Sequence, residues 1–201
     1  TGTAVHVAVD GVYAGYLLIA DAVKPDSAEA VRELRRSGID CLAMLTGDSE
    51  STAKAVGEAL QLDEVHAKCL PADKVSYMQQ YREKLSGGRT LVFVGDGMND
   101  APVLAQSDVG VAMGGLGSDA AIAAADLVIL DDKPSKLAFA VRVARKTMRL
   151  ARENIVFALG VKAVILVLGA CGLAGIGWAV FADVGVSVIA ILNATRAMRQ
   201  K

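Results

Sequence analysis

The sequence is short of aromatic residues, of cysteine pairs and of any surplus of one charge. Lysine and arginine number 21 against 22 aspartates and glutamates, which leaves a net charge of −1. A nucleic-acid partner calls for a basic footprint, so none is expected here. The three cysteines, Cys41, Cys69 and Cys171, lie far apart. No two of them have metal-ligand spacing, and they read as reduced interior thiols. Aromatics are only 4% of the chain, while glycine and alanine are plentiful. The first residues carry no signal-peptide pattern. What is in excess is apolar residues, 53% of the 201, with a mean hydropathy of +0.41. That surplus sits at the C-terminal end. The length suits one α/β domain plus something smaller.

Taken in order, Thr3 to Val9 and Val12 to Ile19 read as two strands joined at Asp10-Gly11, a hairpin turn signal. Asp26 with Glu29 three residues on predicts a capping box for a helix that ends at Gly38. Ile39 to Leu45 is an apolar strand, and Thr46-Gly47-Asp48 follows it directly. A helix from about Glu50 to Leu60 comes next, then a short strand at Val65-His66. Pro71-Ala72-Asp73-Lys74 opens a helix reaching about Leu85. Thr90 to Val94 is a buried parallel strand by composition. A helix to Ser107, a strand from Val109 to Met113, a helix from Ser118 to Ala125 and a strand from Leu127 to Leu130 complete the pattern. Strands alternating with helices through short loops predict βαβ units and a doubly wound parallel sheet. A long helix then starts at Pro134 and carries Arg142, Arg145, Lys146, Arg149 and Arg152.

The stretch Leu91 to Pro102 organises the chain. Gly95 and Gly97 are read as positions of positive φ where backbone approaches a ligand closely. Asn99 or Asp100 is expected to cap the next helix, with Pro102 in its first turn. Asp96 then lies at the carboxyl end of a strand, where open α/β sheets bind ligands. Asp96 and Asp100 together suit Mg²⁺ beside a phosphate. On these residues alone, a strand–turn–helix corner with a capping side chain fits as well. Thr46 offers a hydroxyl at a helix N-terminus, a phosphate cradle or simply a cap. Lys74 sits in a first helical turn, where the macrodipole disfavours a cation. Its place there makes sense if an anion stands in front of it; taken alone, a solvated surface charge is the other reading.

From Ile155 to Leu192 the only charged residues are Lys162 and Asp183, over about twice the ~20 residues that one membrane crossing needs. Gly172, Gly175 and Gly177 supply a central turn, and Trp178 lies just past it, suited to a membrane boundary. Basic residues flank both outer ends, so a two-helix membrane hairpin with both ends cytoplasmic is predicted, the other reading being a buried helical hairpin of a soluble protein, which the length opposes. Lys162 lies ~12 Å along its helix from Asn154, and Asp183 ~15 Å from Asn193. The two side chains are therefore expected to meet. Intramembrane charges default to a functional role, although a structural ion pair joining the helices is the other reading.

Three motifs in this order resemble the phosphorylation domain of P-type ATPases, which has the haloacid-dehalogenase fold. They are Leu45-Thr46-Gly47-Asp48, Pro71-Ala72-Asp73-Lys74 and Val94-Gly95-Asp96-Gly97-Met98-Asn99-Asp100-Ala101-Pro102. Ala112-Met113-Gly114 and Ala125-Asp126 fit the same family. Asn154, Lys162 and Asp183-Val184-Gly185 resemble the last two membrane helices of its heavy-metal branch, the zinc/cadmium/lead class. The resemblance implies an ATP-driven divalent-metal (Zn²⁺, Cd²⁺ or Pb²⁺) export pump working through an aspartyl-phosphate. It implies that Asp96 binds Mg²⁺, that Asn99 and Asp100 shape that loop, and that Gly95 and Gly97 line the cofactor site. Thr46, Gly47, Asp48 and Lys74 would form the phosphate site, with Lys162 and Asp183 in the transport site. Membrane lipid, the transporter's other domains and a divalent metal are the implied partners, and a multi-pass cell-membrane protein with cytoplasmic phosphorylation domain and C-terminus is the implied location.

The family's phosphorylated aspartate lies in Asp-Lys-Thr-Gly-Thr. Thr1-Gly2-Thr3 tempts one to see that motif cut short, but most of a nucleotide-binding domain should separate it from Thr46. The expected organisation is therefore residues 1–18 as the tail of a nucleotide domain and 19–134 as a phosphorylation domain lacking its nucleophile strand. A basic amphipathic connecting helix (135–153) and a transmembrane hairpin (154–201) follow. Most of the ATP site would lie outside the chain, and the isolated chain is expected to be inactive. Alternatives are a non-catalytic, truncated or split-gene, membrane-anchored fragment and a dehalogenase-fold phosphatase, the latter opposed by the missing Asp-x-Asp and by the hairpin.

Overall fold

The computed structural model describes residues 3–19, 22–85, 87–95, 98–114 and 119–198. They fall into two compact units, residues 1–138 and 139–201. The first unit opens with the expected hairpin, β1 (Thr3–Val9) and β2 (Val12–Ile19), paired antiparallel. Asp10 and Gly11 have φ of 50° and 79°, the two positive values that a tight hairpin turn requires.

Helix α1 (Ser27–Arg36) buries Ala30 and Leu34 and ends before Gly38, whose φ is 74°. The expected capping box at its start does not form. Asp26 makes no side-chain cap; its carboxylate accepts from the Ser135 N–H at 3.2 Å instead. A distant backbone amide has outcompeted the local one.

Then come β3 (Ala43–Leu45), α2 (Glu50–Leu60), β4 (Glu64–His66), α3 (Pro71–Lys84) and β5 (Val92–Gly95). They are followed by α4 (Ala101–Gln106), β6 (Val109–Met113), α5 (Asp119–Ala124) and β7 (Leu127–Ile129). Every pairing among β3 to β7 is parallel, in two ladders, β3–β4 and β5–β6–β7. The strand expected over Ile39–Leu45 shortens to Ala43–Leu45, because its partner β4 offers only three residues to pair with. The core lies around β6, where Val111 and Met113 pack with Ile129. Val103 and Leu104 of α4 are fully buried. Gly110 is required by close approach, since a Cβ there would stand 2.7 Å from the Leu104 carbonyl oxygen.

One device recurs at the amino ends of the strands. Asp63 accepts from the Leu42 N–H at 2.8 Å, Asp108 from Leu91 at 2.9 Å, and Asp126 from Gly110 at 2.8 Å. Each aspartate immediately precedes one strand and satisfies a backbone donor one residue ahead of the neighbouring strand (Leu42, Leu91) or near its start (Gly110). Such a bond fixes the parallel register where the ladder begins.

β3 pairs with β4 alone and β5 with β6 alone among the described residues. Asp40 and Arg89, in the segments ahead of β3 and β5, form an ion pair at 3.2 Å, which ties the amino-end sides of the two ladders together. Two inter-strand spacings are ~10 Å, a gap that an arginine and an aspartate side chain can span. Val92 and Val94 of β5 are 40% and 39% exposed, high for a strand of this composition.

In the second unit, α6 is one uninterrupted helix, Ser135–Ala170, whose first residues lie ahead of the unit boundary. A turn with Gly172 at φ 72° leads to α7 (Ile176–Ala194). Both helices are long and apolar enough to cross a membrane. Their apolar side chains, Ile155, Leu166 and Ile191 among them, face outward. Cysteine departs from expectation: only Cys69 is buried, while Cys41 and Cys171 are exposed, and all three are free thiols.

Candidate functional site

The carboxyl ends of β3 and β5 carry the loops that the sequence singled out. Lys74 is in the first turn of α3, and its Nζ stands 2.8 Å from Asp100 Oδ1. The two side chains are only 17% and 10% exposed. The anion expected in front of Lys74 is thus supplied by the chain itself. Asp100 does not cap α4, contrary to expectation; it occupies the N-cap position without a side-chain cap bond. Its carboxylate turns to the lysine because a buried charge gains more from an opposite charge than from a backbone amide. Asn99, the other expected cap, is exposed in the 3₁₀ turn Met98–Asp100.

Gly95 is buried, and its φ is not positive. The expectation of positive φ fails here, and the reason for glycine is space. A Cβ at Gly95 would lie 2.8 Å from Asp100 Oδ2 and 2.9 Å from its Cβ. Gly95 is what lets the Asp100 carboxylate fold back over the strand end. Asp96 and Gly97 lie outside the described residues.

At the end of β3, Thr46 Oγ1 donates to Asp48 Oδ2 at 2.7 Å and accepts from the Asp48 N–H at 3.2 Å. The hydroxyl is held in a tight local turn rather than capping α2. Ser49 does the capping, accepting from the Thr52 N–H at 3.3 Å. Thr46 is also tied by backbone to the segment leading to Lys74. Its N–H donates to the His66 carbonyl and its own carbonyl accepts from Cys69, both at 2.9 Å. Gly47 lies against the same segment, with a hypothetical Cβ 3.6 Å from the Cys69 carbonyl, an ordinary contact. The structure therefore brings Lys74 and Asp100 into contact, and places Thr46, Gly47 and Asp48 beside the loop that delivers Lys74.

A polar cluster that the sequence reading missed anchors α3 to β4. His66 stacks on Tyr77 with ring centroids 4.0 Å apart, and its Nε2 lies 2.8 Å from the Tyr81 hydroxyl. Tyr81 donates to Glu64 Oε2 at 2.5 Å. Burial, and then that carboxylate, push the Tyr81 phenol well above its usual range, while the Tyr81 bond draws Glu64 down. Lys74, Tyr77 and Tyr81 recur at three and four residues, one face of a helix. Glu64 and His66 alternate on one face of a strand. Those spacings were the available signal.

Among the described residues no group of three or more His, Cys, Asp or Glu is placed to hold a metal ion. The donors near the Lys74–Asp100 pair are oxygens, the type that Mg²⁺ takes. In the second unit, Lys162 Nζ and Asp183 Oδ1 meet at 2.8 Å, as their depths along the helices led one to expect.

Residues 2–108 match the family of haloacid dehalogenase-like hydrolases. The whole chain is 56% identical, over 200 residues, to a cadmium, zinc and cobalt-transporting ATPase of Bacillus subtilis, of which it covers 28%. It is 56% identical over 195 residues to a zinc-transporting ATPase of Synechocystis, covering 97% of this chain and 27% of that one. Among solved structures, a zinc-transporting PIB-type ATPase in its E2.Pi state superimposes with a TM-score of 0.85 at 34% identity. That match covers 98% of this chain and 32% of the other. The chain thus spans little more than a quarter of the length of the curated relatives it matches.

Proposed function

Because the chain belongs to the haloacid dehalogenase-like hydrolases, and is similar along its length to zinc- and cadmium-transporting ATPases, we propose that it is the C-terminal part of an ATP-driven divalent-metal pump. The carrying observation is the enclosed Lys74–Asp100 pair at the carboxyl ends of parallel strands, in a chain that continues into two membrane-length apolar helices. A stand-alone phosphatase has no use for those helices.

In this reading a strand carrying the phosphorylated aspartate lies between β3 and β5. Its carboxyl end then opens beside Thr46, Lys74 and Asp100. Lys74 neutralises the phosphoryl oxygens, and the Thr46 hydroxyl, released from Asp48, donates to one of them. Asp100 holds the ammonium in place. Mg²⁺ would be held by Asp96 with oxygen donors around it, and when bound it would supply neutralisation of the phosphoryl charge. ATP binds mostly on the part of the pump that precedes this chain. Residues 1–18 belong with that nucleotide-binding part, 19–134 with the phosphorylation domain and 135–153 with a connecting helix.

Lys162 and Asp183 form the transport site in the membrane. The carboxylate takes the cation, and the lysine replaces it as counter-ion once the metal has gone. A carboxylate together with thiolates from the preceding part suits Zn²⁺ and Cd²⁺, whereas an all-sulfur site favours Cu(I). Both ends of the hairpin are cytoplasmic by their flanking arginines.

The test is phosphorylation. The chain alone, incubated with labelled ATP, Mg²⁺ and Zn²⁺, should remain unlabelled, because the nucleophile is absent. In the complete pump, Asp96→Asn should remove the acid-stable phosphoenzyme while leaving the fold intact. A hydroxylamine-sensitive label on the isolated chain, or wild-type turnover in the variant, overturns the reading.

A further inference from the structure

The two helices of the second unit are joined by polar ties at two depths, and the ties share one register. Near the outer ends, Asn154 Nδ2 donates to the Ala190 carbonyl at 3.1 Å, and Asn193 Nδ2 donates to Asn154 Oδ1 at 2.8 Å. Arg196 donates to Asn193 Oδ1 at 2.8 Å, which turns the Asn193 amide so that its N–H group faces Asn154. Farther along, Lys162 and Asp183 meet at 2.8 Å. From Asn154 to Lys162 is about two turns of α6, and from Ala190 back to Asp183 about two turns of α7. The two ties therefore stand or fall together if one helix slides along the other.

At the depth of the amide tie Arg196 also reaches Glu153 Oε2 at 3.9 Å, an exposed pair; the apolar remainder of the seam offers little to resist sliding. From 151 to 170 the half-buried residues are Asn154, Ala158, Val161 and Ile165, at helical spacing. Opposite them lie Val186, buried, and Ala190 and Asn193, half-buried. These apolar side chains are small or uniform. In lipid no hydrophobic force favours one apolar contact over another. An amide pair in an otherwise apolar seam is the best-attested device for choosing a single register. Lys162 and Asp183 sit one position beyond Val161 and Ala182, on the flank of the seam, and remain 60% and 63% exposed on their side chains. A pair so placed has no packing of its own to align it.

We propose that Asn154 and Asn193 are positioning residues, a register lock that holds Lys162 opposite Asp183. A slip of one turn, ~5.4 Å, would break the amide bonds and carry the lysine past the carboxylate. The bearing of the lock on metal transport rests on the reading of Lys162 and Asp183 given above; the lock itself does not.

The experiment is zero-length coupling in the full chain reconstituted in phosphatidylcholine bilayers. An apolar carbodiimide activates the Asp183 carboxylate, and the Lys162 amine displaces the urea to form an amide, scored by mass spectrometry of the joined peptide. The unaltered chain should couple readily. Asn154→Leu and Asn193→Leu should lower the yield about tenfold at unchanged helix content. If a leucine variant loses helix content, the smaller Asn154→Ser is judged by the same yield. Unchanged coupling in these variants overturns the lock. In the complete pump, Asn154→Leu should weaken Zn²⁺ binding about tenfold, while Asp183→Ala abolishes it. Unchanged Zn²⁺ binding in Asp183→Ala overturns the transport-site reading only, and the coupling yield then decides the lock by itself.

Discussion

At the scale of single residues, the Lys74–Asp100 pair has the most to lose. Both side chains are largely enclosed, so removing one leaves an uncompensated charge, a change that costs about 3 kcal/mol or more. Lys74→Ala should lower the unfolding free energy of the chain in detergent by that amount, read from the shift in denaturant midpoint at unchanged m. Lys74→Met combined with Asp100→Leu should cost clearly less than the single change, although neither variant would support phosphoryl transfer in the pump. A double variant as unstable as the single one would mean that the pair contributes more than charge compensation. Gly95→Ala should destabilise by about 1–3 kcal/mol, the range for overpacking, since the new methyl meets the Asp100 carboxylate at 2.8 Å. The first-turn position of Lys74 was legible in the sequence because a cation placed against the macrodipole needs an anion. The role of Asp100 was not. A carboxylate just ahead of a helix can serve the nearest amide or a lysine 26 residues away, and only tertiary geometry chooses. The same competition hid the role of Asp26, whose partner Ser135 lies at the far end of the unit.

At the scale of elements, helices were easier to read than strands. α3 follows from the Pro71 start, and α2 carries its own cap at Ser49. Ser49→Ala should cost about 1 kcal/mol, the usual value for losing an N-cap side chain, read as a fall in thermal midpoint. The strands are three to five residues long from β3 onward, too short for alternation to mark their ends. Their limits are set by neighbours, and by the aspartates at their amino ends. The Leu42 N–H, and after it Arg35, hold Asp63 below the usual carboxylate range. The folded pKa is thus lower than the unfolded value of about 3.9. Between the two, the unfolded chain binds more protons, so this contribution is present above about pH 4 and is lost as pH falls through the folded pKa. The stability difference between the unaltered chain and Asp63→Asn should therefore shrink on acidification below about pH 4. Thermal melts across that window check it, and a difference that stays constant would remove Asp63 from the acid response.

At the scale of the whole molecule, the pair of long apolar helices was the most legible feature, because a long stretch with two charges leaves few alternatives. Trp178 is the chain's single tryptophan, 65% exposed near the start of α7. In bilayers its emission should shift to the blue, and headgroup-level quenchers should outperform quenchers near the bilayer centre. Preferential quenching from the centre would move the turn into the hydrocarbon. The break between the two parallel ladders was not legible as a place in space, since nothing in a sequence says which strands are neighbours across a gap. That break governs how the chain behaves in a test tube. Among the described residues Ala43–Leu45 and Val92–Gly95 each leave one row of amides and carbonyls without a strand, the second bordered by the half-exposed Val92 and Val94. Open rows of this kind recruit any extended peptide, including another copy of the same chain. Expressed by itself, the chain should therefore drift toward insoluble β-rich aggregates, and a short apolar strand supplied alongside it should keep it in solution.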